Sequence, residues 1–170
     1  MKSAATCCFT GHRPSKLPWG TNEDDERCLR LKERLASEVQ TAYDNGYRHF
    51  ICGMARGADF YFCEAVLALR ERHSDVTVEA ALPCETQASR WPEKDRSRYF
   101  SLVAQCDVES VIQSHYDKGC MQRRDRYMVD HSSLLLAVYN GLLGGTMYTL
   151  TYAMRHGVET RVISLDEYEM

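Results

Sequence analysis

A chain of 170 residues holds one domain at roughly 100–200 residues per domain, so 1–170 is read as a single unit. With 44% hydrophobic and 26% charged residues, 4 Pro and 10 Gly, the composition excludes disordered, collagen-like and low-complexity chains. A net charge of −3 and a pI of about 6.1 argue against a broad electrostatic grip on nucleic acid or an anionic membrane.

Lys2 and the short apolar run after it lack an A-x-A cleavage pattern, so Ala5–Thr10 reads as a first strand and not as a leader. Gly11-His12-Arg13-Pro14 ends that strand. Thr21 or Asn22 is placed to cap a helix whose first turn holds Glu23, Asp24 and Asp25. Cys28, Leu31, Leu35, Val39 and Ala42 share one face of it, and Asn45-Gly46 stops it. A strand over Tyr47–Cys52 precedes a helix from Ala58 to His73, and a strand over Val76–Leu82 precedes a helix from Glu93 to Gln105. In that helix Tyr99, Leu102, Val103 and Cys106 fall at i, i+3, i+4, i+7 spacing. Val108–Gln113 (strand), Cys120–Asp130 (helix), Leu134–Tyr139 (strand), Gly145 to His156-Gly157 (helix) and Arg161–Leu165 (strand) complete the chain. Leu134–Tyr139 is its longest purely apolar run, far short of the ~20 residues that span a bilayer. It does not alternate apolar with polar, as a strand covered on both faces requires. The predicted fold is α/β: a Rossmann-like three-layer α/β/α domain with a mainly parallel sheet of about six strands.

Cys7, Cys8, Cys28, Cys52, Cys63, Cys84, Cys106 and Cys120 contain no C-x-x-C pair and no His at zinc spacing. They are expected to be reduced core residues of a cytoplasmic protein without a metal site.

Right-handed crossovers gather every strand-to-helix loop at one edge of a parallel sheet, where α/β folds bind ligands. In the first loop, Thr10-Gly11-His12-Arg13 continues to Trp19: Gly11 permits close backbone approach, Arg13 offers a planar fork for phosphate, and Trp19 a face for a base. These residues would equally serve a turn, a surface ion pair and a strand cap. The second loop, Gly53-Met54-Ala55-Arg56-Gly57-Ala58-Asp59, runs into a helix N-terminus suited to an anion. Arg56 adds charge, and Asp59 either stabilises the helix dipole or accepts from a ribose hydroxyl. The third, Asn140 to Thr146, bares Gly144 and Gly145 and places the Thr146 hydroxyl at a helix start, as a phosphate cradle or simply as an N-cap. Arg123, Arg124 and Arg126 form either a phosphate clamp or, with Asp125 and Asp130, a solvated salt-bridged face. Glu85 could reach the crevice from the third strand, and Trp91-Pro92 reads as a packing anchor. His115, His131 and His156 are isolated and receive no role.

Thr10-Gly11-His12-Arg13-Pro14, Gly53-Met54-Ala55-Arg56-Gly57-Ala58-Asp59, Tyr127-Met128-Val129-Asp130 and Gly144-Gly145-Thr146 together resemble the SLOG superfamily, the Rossmann-like group that includes the Smf/DprA and Lonely Guy proteins. The likeness is to its YpsA-like branch and runs from about Cys7 to Leu165. It implies a nucleotide or nucleotide-derived ligand at the glycine-rich loops. Lonely Guy enzymes carry P-G-G-x-G-T-x-x-E; here Leu142 and Leu143 stand at its first two glycines and Thr149 at its catalytic Glu. Hydrolysis of a nucleotide would therefore need another acid, Asp59 or Glu85. The resulting expectation is a sensor or regulatory module binding a nucleoside phosphate or ADP-ribose-like ligand, to which a phosphate group could bring Mg²⁺. A hydrolase of an N-glycosidic or phosphate bond, and an adaptor with a vestigial crevice, are the alternatives; self-association is left open.

Overall fold

The computed structural model describes residues 5–168. Six strands form one sheet: β1 (Thr6–Thr10), β2 (His49–Cys52), β3 (Thr77–Leu82), β4 (Val108–Val111), β5 (Leu134–Tyr139) and β6 (Glu159–Ser164). Their order is β4-β3-β2-β1-β5-β6, and every neighbouring pair is parallel. The helices are α1 (Glu26–Asp44), α2 (Ala58–Arg72), α3 (Glu93–Gln105), α4 (Cys120–Asp130) and α5 (Gly145–Arg155).

Successive residues of a strand face opposite sides of the sheet, and in the central strands both sides are covered. Cys7, Phe9, Leu134, Leu136 and Val138 pack with α1, α2 and α3, whereas Cys8, Leu135 and Ala137 pack with α4 and α5. That double burial is the reason β1 and β5 lack polar alternation, and the result is the three-layer Rossmann-like architecture expected. All eight cysteines are free thiols; seven are buried and Cys106 is half-buried. Among the described residues, no helix is long and apolar enough to cross a membrane.

The chain steps outward from β1 through β2, β3 and β4, then returns past β1 to lay down β5 and β6. The direction of winding therefore reverses between β1 and β5. At such a switch point the loops leaving the two strands diverge to opposite faces and open a crevice at their carboxyl ends.

Element ends differ from the sequence reading in a few places. Helix α1 starts one turn later than Thr21 or Asn22 would have it: Asp25 is its cap, accepting the Arg27 N–H at 2.8 Å. Glu23, expected in the first turn, instead pairs with Lys32 and with Arg98 of α3. Strand β4 stops at Val111, not Gln113, and β6 starts at Glu159, where it pairs along the whole of β5.

Glu79 of β3 lies where the sheet's α4 side carries polar groups. Its carboxylate accepts from Tyr127 Oη at 2.6 Å and Ser110 Oγ at 2.8 Å, and lies 2.7 Å from His49 Nε2. Burial works against its charge, but the bonds from His49, Tyr127 and Ser110 outweigh that and hold the carboxyl at about 2. A depressed acid contributes stability above its ordinary range and loses it as pH falls through the folded value. Glu79→Gln should therefore show a smaller loss of stability than the parent between pH 4.5 and pH 2 in urea melts, and Glu79→Ala should cost about 2 kcal/mol at pH 7.

Candidate functional site

The β1–α1 and β5–α5 loops meet at the switch point around a cavity of about 140 Å³. Its wall takes Thr10, Gly11 and His12 from the first loop, Ala55 and Asp59 from the second, and Gly145 and Thr146 from the third. Helix α4 closes the remaining side with Met121, Arg124 and Asp125.

His12 ties the loops together. Its carbonyl accepts the Ala58 N–H at 3.1 Å, its Nε2 accepts the Asn140 N–H at 3.0 Å, and its Nδ1 lies 3.3 Å from Thr146 Oγ1. A backbone amide can only donate, so Nε2 carries no proton and the neutral ring holds its hydrogen on Nδ1, toward the threonine hydroxyl. Burial, then the neighbouring Lys16 charge, push the imidazole down to about 4.

The second loop serves the fold more than the ligand. Its helix start is occupied: Ala58 N–H goes to His12, and the Asp59 carboxylate turns back to accept Ala55 N–H at 3.0 Å. Gly57 has φ +87°, and a Cβ there would lie 2.6 Å from the His12 carbonyl oxygen. The glycine is thus required where two loops cross. Gly53 makes room for a side chain, since a Cβ there would meet the Arg124 guanidinium at 2.8 Å. Met54 is fully buried in the left-handed region at φ 60°.

Arg124 lies at the bottom of the crevice, 5% exposed. It donates to the Gly53 carbonyl, and its Nε donates to Asp125 Oδ1 at 2.8 Å. Asp125 also accepts from Thr149 Oγ1 at 3.1 Å. Asp59 shares this floor; burial pushes its carboxyl up to about 7, against the pull of Arg124 and with a push from Asp125. The three arginines of α4 are therefore not one clamp. Arg123 pairs with Asp117 and Arg126 donates to Tyr148 Oη, both at the surface, while Arg124 shares the inward phase of Cys120 and Met128 at i−4 and i+4. That helical phase was the available signal for it.

At the mouth, the N-terminus of α5 has no side-chain cap on its Gly144 N-cap position. Lys16 Nζ sits over Gly144, 2.7 Å from where a Cβ would be. Arg13 and Lys16 are exposed and pair with no carboxylate among the described residues. Amides at a free helix start and two unpaired cations make this end of the crevice suited to an anion.

Four sequence expectations are corrected. Trp19 is a core residue, 6% exposed, whose Nε1 donates to Tyr61 Oη at 3.1 Å, and it does not line the crevice. Gly53 lies behind Arg124, so the first and third loops supply the glycines that face the cavity, Gly11 and Gly145. Arg56 turns away to Asp95 and stands over the Trp91 ring. Glu85 is exposed in a separate groove between α3 and β4. Trp91 packs edge-on to Phe60 and Tyr99, as an anchor. Among the described residues no group of three or more His, Cys, Asp or Glu is placed to hold a metal ion.

A family model described as the YspA SLOG family matches residues 7–167. The SPbeta prophage-derived protein YoqJ of Bacillus subtilis is 29% identical over 75% of this chain and 82% of its own length. The Bacillus subtilis protein YpsA is 23% identical over 78% of this chain and 74% of its own. Two solved structures share the fold: DNA processing protein A of Helicobacter pylori (TM-score 0.63, 17% identity, 92% of this chain) and that of Streptococcus pneumoniae (TM-score 0.60, 12% identity, 94% of this chain). The Helicobacter pylori structure is described as revealing a single-stranded DNA binding mode. This chain spans 64% and 50% of those two proteins.

His12 and Asp59 act on stability in opposite directions. A lowered imidazole loses its contribution as pH falls from 6.5 to about 4, whereas a raised carboxyl loses its contribution as pH climbs from 3.8 to about 7. Relative to the parent, His12→Asn should gain stability on acidification across that window and Asp59→Asn should lose it, read from urea midpoints at pH 4.5 and 7.5. Gly57→Ala should cost about 2–4 kcal/mol in the same melts, combining a positive-φ penalty with a backbone clash.

Proposed function

This chain belongs to the YpsA family of SLOG proteins, and on that footing we propose that its switch-point crevice binds a small phosphate-bearing, nucleotide-derived molecule, as a sensor or regulatory module. The observation that carries the reading is the open start of α5 beside Arg13 and Lys16, cations with no carboxylate of their own. The phosphate lies on the Gly145 and Thr146 amides, where the helix dipole and two exposed cations favour it. The sugar hydroxyls face Asp59, Arg124 and Asp125, which together offer acceptors and donors in a place with little competing water. Glu85 lies too far around the sheet to take part.

AMP and ADP-ribose are the first probes. At 100 times its dissociation constant a ligand adds about 2.7 kcal/mol of apparent stability, a rise in melting temperature of about 5–10 °C for a chain this size. Lys16→Glu should weaken the shift at least about tenfold in ligand concentration. Gly145→Asp should stabilise the free protein by about 0.3–1 kcal/mol through the helix dipole while abolishing the response. No shift with any nucleotide, or an undiminished shift in both variants, overturns the reading. Free base, sugar phosphate or orthophosphate released during incubation would make the module a hydrolase, with Asp59 as the acid.

A second reading rests on the fold shared with the DNA processing proteins: single-stranded DNA lying across the same edge. The net charge of −3 weighs against it. An oligo(dT) strand that binds with a steep salt dependence and competes with AMP would favour that reading.

A further inference from the structure

The cavity holds about 140 Å³, against roughly 300–1,000 Å³ for sites that enclose a whole small-molecule ligand. A nucleotide seated by its phosphate therefore leaves part of itself outside, over the rim. The segment Gly141 to Gly144 leads into the cavity wall at Gly145, beside the anion pole. Its first end is held to the cavity wall, where the Asn140 N–H bonds His12 Nε2, and its last residue, Gly144, lies beside Lys16 Nζ. A positive φ of 82° at Gly141 turns the backbone, and the Leu142 N–H closes the turn on Asn140 Oδ1 at 3.0 Å.

The tip of that turn is Leu142 and Leu143, 66% and 81% exposed; no other large hydrophobic side chain among the described residues is as exposed as Leu143. Single exposed apolar residues are ordinary, but these are two adjacent leucines in the loop that enters the cavity wall at Gly145. No core contact explains them, since neither belongs to a buried cluster. The residue whose sequence position suggested a stacking role, Trp19, is sealed in the core.

We infer that Leu142 and Leu143 form an apolar lip that covers the planar, uncharged part of the ligand, so that the crevice selects a phosphorylated nucleoside over a bare sugar phosphate. The inference rests on the proposed phosphate site. The lip gains its contact only when the ring lies on it, whereas the phosphate and sugar contacts are common to both molecules.

Calorimetric titration of the full chain with AMP and with ribose 5-phosphate tests this. The parent should bind AMP at least about tenfold more tightly, and Leu142→Ser/Leu143→Ser should bring the two affinities within about twofold by weakening AMP alone. Both leucines are exposed, so an unchanged melting temperature without ligand should confirm that the double variant folds. Ribose 5-phosphate binding with no preference for AMP in the parent, or a preference that survives the double variant, overturns the lip and leaves the phosphate site standing. Failure of the parent to bind either molecule overturns the phosphate site and the lip with it. If the double variant changes the oligomeric size in gel filtration and not the ligand preference, the leucines are a protein contact and the inference is wrong.

Discussion

Two ring nitrogens and one carbonyl of His12 hold the carboxyl edge of the sheet in register. The carbonyl accepts from the start of α2, Nε2 accepts from the end of β5, and Nδ1 meets the first turn of α5. These partners come from two other loops, separated from His12 by about 46 and 128 residues. These bonds are buried or partly buried, so losing one would leave a largely desolvated polar group. The arrangement works with one protonation state, the neutral ring with its hydrogen on Nδ1. Lys16 and burial both favour that state, and so the cation that faces the mouth of the crevice also steadies its wall.

Around this frame the charges separate by depth. On the floor, Arg124 is satisfied by Asp125 and by the Gly53 carbonyl, with Asp59 close by. A buried guanidinium needs such partners, and stripping one away would strand a charge. At the mouth, Arg13 and Lys16 remain in water without carboxylates, and the start of α5 is uncapped. The floor is therefore internally paired, while the mouth carries positive charge that no carboxylate among the described residues offsets. Likeness to the DNA processing proteins, at 17% and 12% identity, extends to the sheet and its helices.

Most of the architecture was legible in the residues. Apolar runs such as Leu134–Tyr139 indicated doubly covered strands, and the spacing of Cys28, Leu31, Leu35, Val39 and Ala42 indicated one face of α1; all of these but the half-buried Tyr139 are buried. The three glycine-bearing loops were rightly placed at one edge, and His12, Asp59, Gly145 and Thr146 do meet there. Misplaced residues share a cause. Trp19 and Arg56 have a hydrogen-bond or ion-pair partner more than 35 residues away, Tyr61 and Asp95, which no local pattern reveals. Gly53 counts among the expected ligand-binding residues because nothing nearby in sequence announces that Arg124 lies against it.

The order of strands and helices, the parallel α/β class and the choice of edge follow from periodicity and turn chemistry, which are local properties of the chain. The reversal between β1 and β5, and the sorting of charges into a paired floor and an open mouth, depend on which distant segments are brought side by side. A charged residue's role is set by its partners and its depth. Both come into being only when the sheet closes and α4 lies across it.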